Sequence, residues 1–83
     1  MEISEAPLDG VKLIRPEAYH DHRGFFMESY SRKVMMEVGI GDEMVQDNHS
    51  LSVSAGTIRG LHYQNNPMAQ SKLVRVTSGE ILD

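Results

Sequence analysis

Residues able to do chemistry are densest in residues 57–64, whose sequence is TIRGLHYQ. His62 offers an imidazole, although a single histidine on a strand is more often structural than catalytic. Arg59 offers a forked cation that suits phosphate. Gly60 interrupts the strand, and glycine there weakens pairing and marks a bulge or the close approach of a ligand. Lys72 lies one predicted strand later, within reach across a sheet, so the segment is a candidate catalytic site.

A metal site is the alternative interpretation of the four histidines, which are His20, His22, His49 and His62. A His-x-His pair on one strand face would suit a metal in a small barrel. His62, however, is followed two residues later by Gln64 rather than by histidine. His20 and His22 have the right spacing, but they fall in a predicted turn beside Arg23. We therefore expect no catalytic metal.

The elements that must position these residues are short strands, predicted from alternating apolar residues and from turn residues between them. The predicted strands are 11–15, 24–30, 43–54, 57–64, 71–77 and one that begins at 80, with turns at 20–24 and 78–79. In residues 24–30, alternation places Phe26, Glu28 and Tyr30 on one face. In residues 43–54 one face is wholly polar, so it meets water or a polar cavity; it contains Gln46, Asn48, Ser50 and Ser52.

A single short helix is predicted at residues 32–38. Ser31 can cap its start and Gly39 can end it. The helix contains Met35 and Met36, which we interpret as core filler because methionine adapts to irregular gaps.

Many short strands at close spacing predict an all-β fold, an antiparallel sandwich or barrel. About five strands with open edges do not complete such a fold, and natural proteins avoid open edges. Because the sequence stops inside a predicted strand, we expect residues 1–83 to be the N-terminal portion of a single longer domain.

Composition excludes several classes of protein. A hydrophobic fraction of 40% is too high for a disordered chain, and no apolar run approaches the roughly 18 residues of a membrane span. The absence of cysteine excludes disulfides and thiolate zinc sites. With a net charge of −4 and no signal-peptide pattern at the N-terminus, we expect a cytoplasmic protein that binds neither nucleic acid nor membrane.

The basic residues are scattered rather than clustered. Arg23, Arg59, Lys72 and Arg75 lie in or beside predicted strands. These residues either lie on solvent-exposed strand faces or converge on one anionic ligand. Their positions in the sequence leave both interpretations open.

Four segments resemble the dTDP-4-dehydrorhamnose 3,5-epimerase family. They are 22–30 (HRGFFMESY), 45–50 (VQDNHS), 58–64 (IRGLHYQ) and 72–76 (KLVRV), in the family's order and near its spacing. The resemblance runs from about Val11 to Asp83. It implies a cupin-like jelly roll, a homodimer with exchanged N-terminal strands, and no metal or other cofactor. The implied reaction inverts carbons 3 and 5 of dTDP-4-dehydro-6-deoxy-D-glucose to give dTDP-4-dehydro-L-rhamnose, on the route to dTDP-L-rhamnose.

The resemblance also implies roles for individual residues. His62 matches the general base and Lys72 the lysine that stabilises an enolate. The positions matching substrate-binding residues are Arg23, Phe26, Glu28, Gln46, Asn48 and Arg59, with Phe26 beside the nucleotide. These types suit the reaction, because both carbons lie beside a ketone and lose a proton to give an enolate. An imidazole, with an ordinary pKa near 6.5, accepts such a proton, an ammonium stabilises the developing charge, and arginine binds the diphosphate.

Part of the family's catalytic apparatus has no match in this chain. Inversion needs an acid on the opposite ring face, which in the family is a tyrosine in the second half of the fold, as is the aspartate that orients the histidine. Tyr19, Tyr30 and Tyr63 do not lie in the matching motif. Two alternatives stay open: an epimerase of one carbon of another 4-keto sugar nucleotide, and a non-catalytic cupin fragment that binds sugar nucleotides.

Three structural expectations follow. His62 and Lys72 should line an interior cavity. Strict alternation points Arg59 and His62 to opposite faces, so a bulge or kink at Arg59 and Gly60 is needed to direct both into one pocket. Residues 11–15 and 24–30 should pack against a second subunit.

Overall fold

The computed structural model describes all 83 residues and contains four short strands and one helix. The elements are β1 (Glu2–Glu5), β2 (Lys12–Arg15), β3 (Ala18–Asp21), β4 (Gly24–Met27) and α1 (Arg32–Glu37). The chain divides into two compact units, Met1–Val45 and Gln46–Asp83, and every strand and the helix belong to the first.

The first sheet is an antiparallel hairpin of β1 and β2. Ile3 lies opposite Ile14, and both are half-buried, so branched apolar side chains meet at the centre of the ladder. The prediction of a strand at 11–15 is confirmed, with its start at Lys12. β1 was not predicted, because Glu2–Glu5 has the mostly polar sequence EISE and becomes a strand by pairing with β2.

The second sheet is a tight hairpin of β3 and β4, in which Asp21 lies opposite Gly24 across a two-residue turn. The predicted strand at 24–30 is confirmed over its first four residues. The predicted turn at 20–24 is narrower than expected, because His20 and Asp21 belong to β3. His20 pairs with Phe25, and their rings approach to 5.7 Å between centroids.

The helix begins at Arg32 as predicted and ends at Glu37, one residue before the predicted end. The hydroxyl of Ser31 accepts a hydrogen bond from the backbone N–H of Val34, which satisfies one unpaired donor of the first turn. Beyond the helix, Ile40 N–H donates to the carbonyl of Met35 at 2.8 Å and Gly39 N–H to that of Met36 at 3.1 Å. With a φ of +88° at Gly39, these two bonds form the Schellman motif.

The core-filler interpretation of the two methionines is half right. Met35 is 2% exposed and is the one buried residue of the chain. Met36 is 56% exposed, so its interpretation as core is wrong. Successive helical residues are turned by about 100°, so neighbours in sequence cannot both face the interior of a one-sided helix.

The second unit contains no strand, and every residue of it is exposed. The predictions of strands at 43–54, 57–64 and 71–77, and of a further strand from 80, are therefore wrong for this structure. Alternation of side chains indicates which residues would share a face of a strand. It does not supply a neighbouring strand, and a strand exists only as part of a hydrogen-bonded ladder.

Two antiparallel two-stranded sheets and one short helix agree with the all-β expectation. The two sheets are separate, with orders β1-β2 and β3-β4, and do not form a jelly roll by themselves. The lone helix has six residues, and no helix here has the length and apolar character required to cross a membrane.

Candidate active site

The sequence-predicted site residues are distributed over both units, and all of them are exposed. Arg23, Phe26 and Glu28 belong to the first unit. The second unit contains the remaining five, which are Gln46, Asn48, Arg59, His62 and Lys72.

Arg23 lies in the two-residue turn between β3 and β4. Its backbone N–H donates to Oδ1 of Asp21 at 2.8 Å, which is the local bond by which aspartate stabilises a turn. Its guanidinium donates through Nε to Oδ2 of the same carboxylate at 2.9 Å, and Nη2 donates to that oxygen as well. These bonds lower the pKa of Asp21 below its usual range. The side-chain bond from Arg23 has the largest effect, and the bond from its backbone N–H comes next.

Phe26 and Arg23 line one shallow surface depression of about 330 Å³ on this hairpin, together with Tyr19 and Phe25. Phe26 is 74% exposed and pairs with Tyr19 across the ladder. The Tyr19 hydroxyl donates to the carboxylate of Glu17 at 3.3 Å, and the negative charge of Glu17 raises the pKa of Tyr19. Glu28 does not line the depression, although its charge adds a smaller upward contribution to the same pKa.

Gln46 and Asn48 lie together in the second unit. The amide Nε2 of Gln46 donates to Oδ1 of Asn48 at 3.1 Å. A bond between side chains two residues apart requires both to point the same way, as expected for this pair. The pair therefore presents two amides side by side, each retaining donors and acceptors for a polar ligand.

Arg59 is held by residues seven and eight positions earlier. Its Nε donates to the Ser52 hydroxyl at 2.9 Å, and its Nη2 donates to the Leu51 carbonyl at 2.8 Å. The chain therefore folds back so that residues 51–52 lie beside residue 59, and these two hydrogen bonds hold the guanidinium there.

The side chain of Lys72 contacts the backbone of His62 rather than its imidazole. Lys72 Nζ donates to the carbonyl oxygen of His62 at 3.2 Å. The expectation that the two line an interior cavity is not met in this structure. Residues 46–83 form no sheet that could enclose one, and both side chains are exposed.

The predicted bulge or kink at Arg59 and Gly60 is not found, because no ladder passes through residues 58–62. Gly60 has a φ of +104°, which favours glycine. A Cβ there would lie 3.3 Å from both the backbone nitrogen and Nδ1 of His62. Since Arg59 is bound to residues 51–52, the structure does not unite it with His62 in one pocket.

Two residues of functional interest were missed by sequence reasoning. Asp21 has a local signal, since an aspartate two residues before a turn arginine commonly accepts its backbone N–H. Ser52 was assigned only to a polar face, and its bond to Arg59 depends on the path of the chain. No three histidine or acidic side chains lie together in a way that could hold a metal ion.

Comparison with known proteins relates these residues to a family. A family model described as dTDP-4-dehydrorhamnose 3,5-epimerase matches residues 5–83. A dTDP-4-dehydrorhamnose 3,5-epimerase of Shigella flexneri is 49% identical over all of this chain and 46% of its own length. One of Methanothermobacter thermautotrophicus is 50% identical over 92% of this chain and 40% of its own. One of Escherichia coli is 39% identical over all of this chain and 45% of its own.

The chain spans less than half the length of these relatives. No solved structure gives a significant match to it. The family match nevertheless covers nearly every residue and includes all four motif segments. This chain therefore belongs to the dTDP-4-dehydrorhamnose 3,5-epimerase family.

Proposed function

We propose that the whole protein containing this chain is a sugar-nucleotide epimerase. It converts dTDP-4-dehydro-6-deoxy-D-glucose to dTDP-4-dehydro-L-rhamnose by inverting carbons 3 and 5, without a cofactor. The observation that carries the proposal is the family match over residues 5–83, joined to about 50% identity with relatives named for this activity.

His62 acts as the general base in this proposal. It removes the proton from the carbon beside the ketone, the electron pair moves to the ketone oxygen, and an enolate forms. Lys72 stabilises the negative oxygen with its ammonium group. Its 3.2 Å bond to the His62 carbonyl supports this pairing of roles, because it keeps the cation close to the base. A proton delivered to the opposite face completes the inversion, from an acid outside the motifs of this chain.

The remaining predicted residues bind the substrate. Arg59 and Arg23 contact the diphosphate, for which a guanidinium has the matching geometry. Phe26 offers an exposed ring to the nucleotide base, and its place beside Arg23 in one depression supports that role. Glu28 and the bonded amides of Gln46 and Asn48 contact the polar groups of the nucleotide and sugar.

We propose that residues 1–83 form the N-terminal portion of one cupin-like jelly-roll domain. An isolated two-stranded sheet is at best marginally stable in water, and this chain has two of them. The alternating segments 43–54, 57–64 and 71–77 would complete larger sheets on gaining ladder partners. Amide hydrogen exchange on the whole protein tests this. Protected amides in these segments support the proposal, and rapid exchange throughout them contradicts it.

We also propose a homodimer in which the N-terminal strands are exchanged. The β3–β4 hairpin supports this, because Phe25 is 66% and Phe26 74% exposed on a strand at the edge of its sheet. Sedimentation at micromolar concentration should show a dimer, and a monomer there would contradict the proposal.

The reaction is tested by incubating the whole protein with the 4-keto sugar nucleotide in deuterated water. Deuterium at both carbon 3 and carbon 5, with rhamnose-configured product, is the expected result. Deuterium at one carbon only indicates the single-carbon epimerase instead. Bound substrate without exchange indicates a non-catalytic sugar-nucleotide-binding protein, and both of these outcomes contradict the proposal.

A further inference from the structure

The turn of the β3–β4 hairpin contains an ion pair that local turn formation does not require. Asp21 needs only one oxygen to accept the backbone N–H of Arg23, and Oδ1 does this at 2.8 Å. Oδ2 is left over, and it accepts from both Nε and Nη2 of the Arg23 guanidinium. One carboxylate therefore fixes both the backbone and the side chain of the same arginine.

This arrangement determines which edge of the guanidinium is available. The group has five N–H donors in a rigid plane. Asp21 uses the Nε hydrogen and one on Nη2, so three remain, two on Nη1 and one on Nη2. One hydrogen on Nη1 and one on Nη2 lie along the Nη1–Nη2 edge and point away from the carboxylate. The Arg23 side chain is 79% exposed, so a ligand can reach that edge.

We infer that Asp21 is a positioning residue, which holds Arg23 so that its Nη1–Nη2 edge faces a phosphate oxyanion of the substrate. The inference rests on the proposed function for the identity of the anion, the diphosphate of a sugar nucleotide. Asp21 itself contacts no substrate.

The chemistry favours positioning over simple neutralisation. A free arginine side chain loses much rotational freedom when it binds an anion, and that loss weakens binding. Here the loss already occurs in the free protein, because Asp21 fixes the plane of the guanidinium. The carboxylate lies on the side opposite to the open edge and is exposed to water, which screens its repulsion of the ligand.

The alternative is that Asp21 only shapes the turn. Asp21→Asn separates the two roles, since the asparagine carbonyl still accepts the Arg23 N–H but no longer offers a charged second oxygen. Should this variant fold poorly, Asp21→Ser provides a second one, whose hydroxyl also stabilises a turn. Arg23→Ala and the double variant Asp21→Asn with Arg23→Ala complete a cycle, made in the whole protein that contains this chain.

Steady-state kinetics with the sugar nucleotide should give a KM raised about fivefold to tenfold by Asp21→Asn with kcat nearly unchanged, the scale for losing the pre-ordering of one side chain. Arg23→Ala should raise KM further. In the Arg23→Ala background, Asp21→Asn should then have no additional effect, since it acts through Arg23.

The failures are distinguishable. Equal KM increases from Asp21→Asn in both backgrounds, or an unchanged KM in the wild-type background, overturn the positioning role. If Arg23→Ala leaves KM unchanged while the epimerase remains active, the open edge binds no substrate and the inference is wrong. If the wild-type protein exchanges no deuterium into the sugar nucleotide, the proposed function fails. In that case the dissociation constant for thymidine diphosphate, measured over the same four proteins, decides whether Asp21 positions Arg23.

Discussion

Residues 1–45 contain all the strands and the helix, whereas residues 46–83 contain most of the predicted site residues. The first region has two hairpins, a capped helix and the one buried side chain, Met35. The second has no ladder and no half-buried residue, yet it contains five of the eight predicted site residues.

The difference shows that the strands which form are those whose pairing partners are close in sequence. The two hairpins pair strands whose ends are close in sequence, joined in one case by a two-residue turn. Closing such loops costs little conformational entropy. Residues 46–83 alternate as strands should, but contain no such pairing. Their hydrogen bonds are isolated ones that build no ladder, such as Gln46 to Asn48, Arg59 to Ser52 and the backbone bond from Met68 to Asn65. A family motif can thus be recognisable in residues that form no helix or strand of their own.

The largest effect is expected for the proposed base. In the whole protein that contains this chain, His62→Ala should lower kcat by about 10² or more while substrate binding is largely kept, the scale for losing a general base. Steady-state kinetics measure it. His22→Ala, an exposed turn histidine, is the matched control and should stay near wild type. Near-wild-type turnover for His62→Ala would contradict the role and the assignment of chemistry to residues 46–83.

Arg59→Ala should act mainly on binding. The loss of a charged contact to the diphosphate should raise KM about tenfold, equivalent to about 1.4 kcal/mol, with a smaller change in kcat. Arg15→Ala is the control, because Arg15 forms only an exposed ion pair with Glu2 at 3.7 Å and such pairs contribute little. A larger fall in kcat than rise in KM would place Arg59 at the reacting centre instead.

A substitution in the ordered region should change stability rather than chemistry. Gly39→Ala should lower the free energy of unfolding by about 1–2 kcal/mol, because alanine is disfavoured at the φ of +88° that ends the helix. Gly41→Ala is the control, since Gly41 has neither a positive φ nor an atom within 4 Å of an added Cβ. Denaturant unfolding measures both. Equal losses of unfolding free energy in the two variants would show that the positive φ at the helix end is not the cause of the loss.

The smallest expected effect is a pH dependence at Asp21. Because Arg23 lowers the pKa of Asp21, this pair contributes stability above the unfolded-state pKa of about 4 and loses it as pH falls through the lower folded value. Carboxyl NMR titration should show that the pKa of Asp21 lies below the ordinary value for an aspartate. Arg23→Gln should move its pKa upward, and an unchanged pKa would mean that the ion pair does not persist in solution.

Sequence reasoning succeeded where the responsible interactions are local. The limits of α1 follow from Ser31 and Gly39, whose effects act within one turn of the helix. The β2 and β4 segments follow from apolar and aromatic residues near turn residues. Burial of Met35 but not Met36, and the recruitment of Glu2–Glu5 as a strand, depended on neighbours that a linear pattern does not specify.

The sequence by itself determined the family, because the order and spacing of the motifs are properties of the sequence and do not depend on how the chain folds. It also determined the chemical types at the site, an imidazole, an ammonium and guanidinium groups. Only the tertiary structure decided which partners hold them: Asp21 for Arg23, Ser52 for Arg59 and the His62 carbonyl for Lys72. The physical reason is that a hydrogen bond depends on distance and angle in space, which the path of the backbone sets and a pattern of residue types does not.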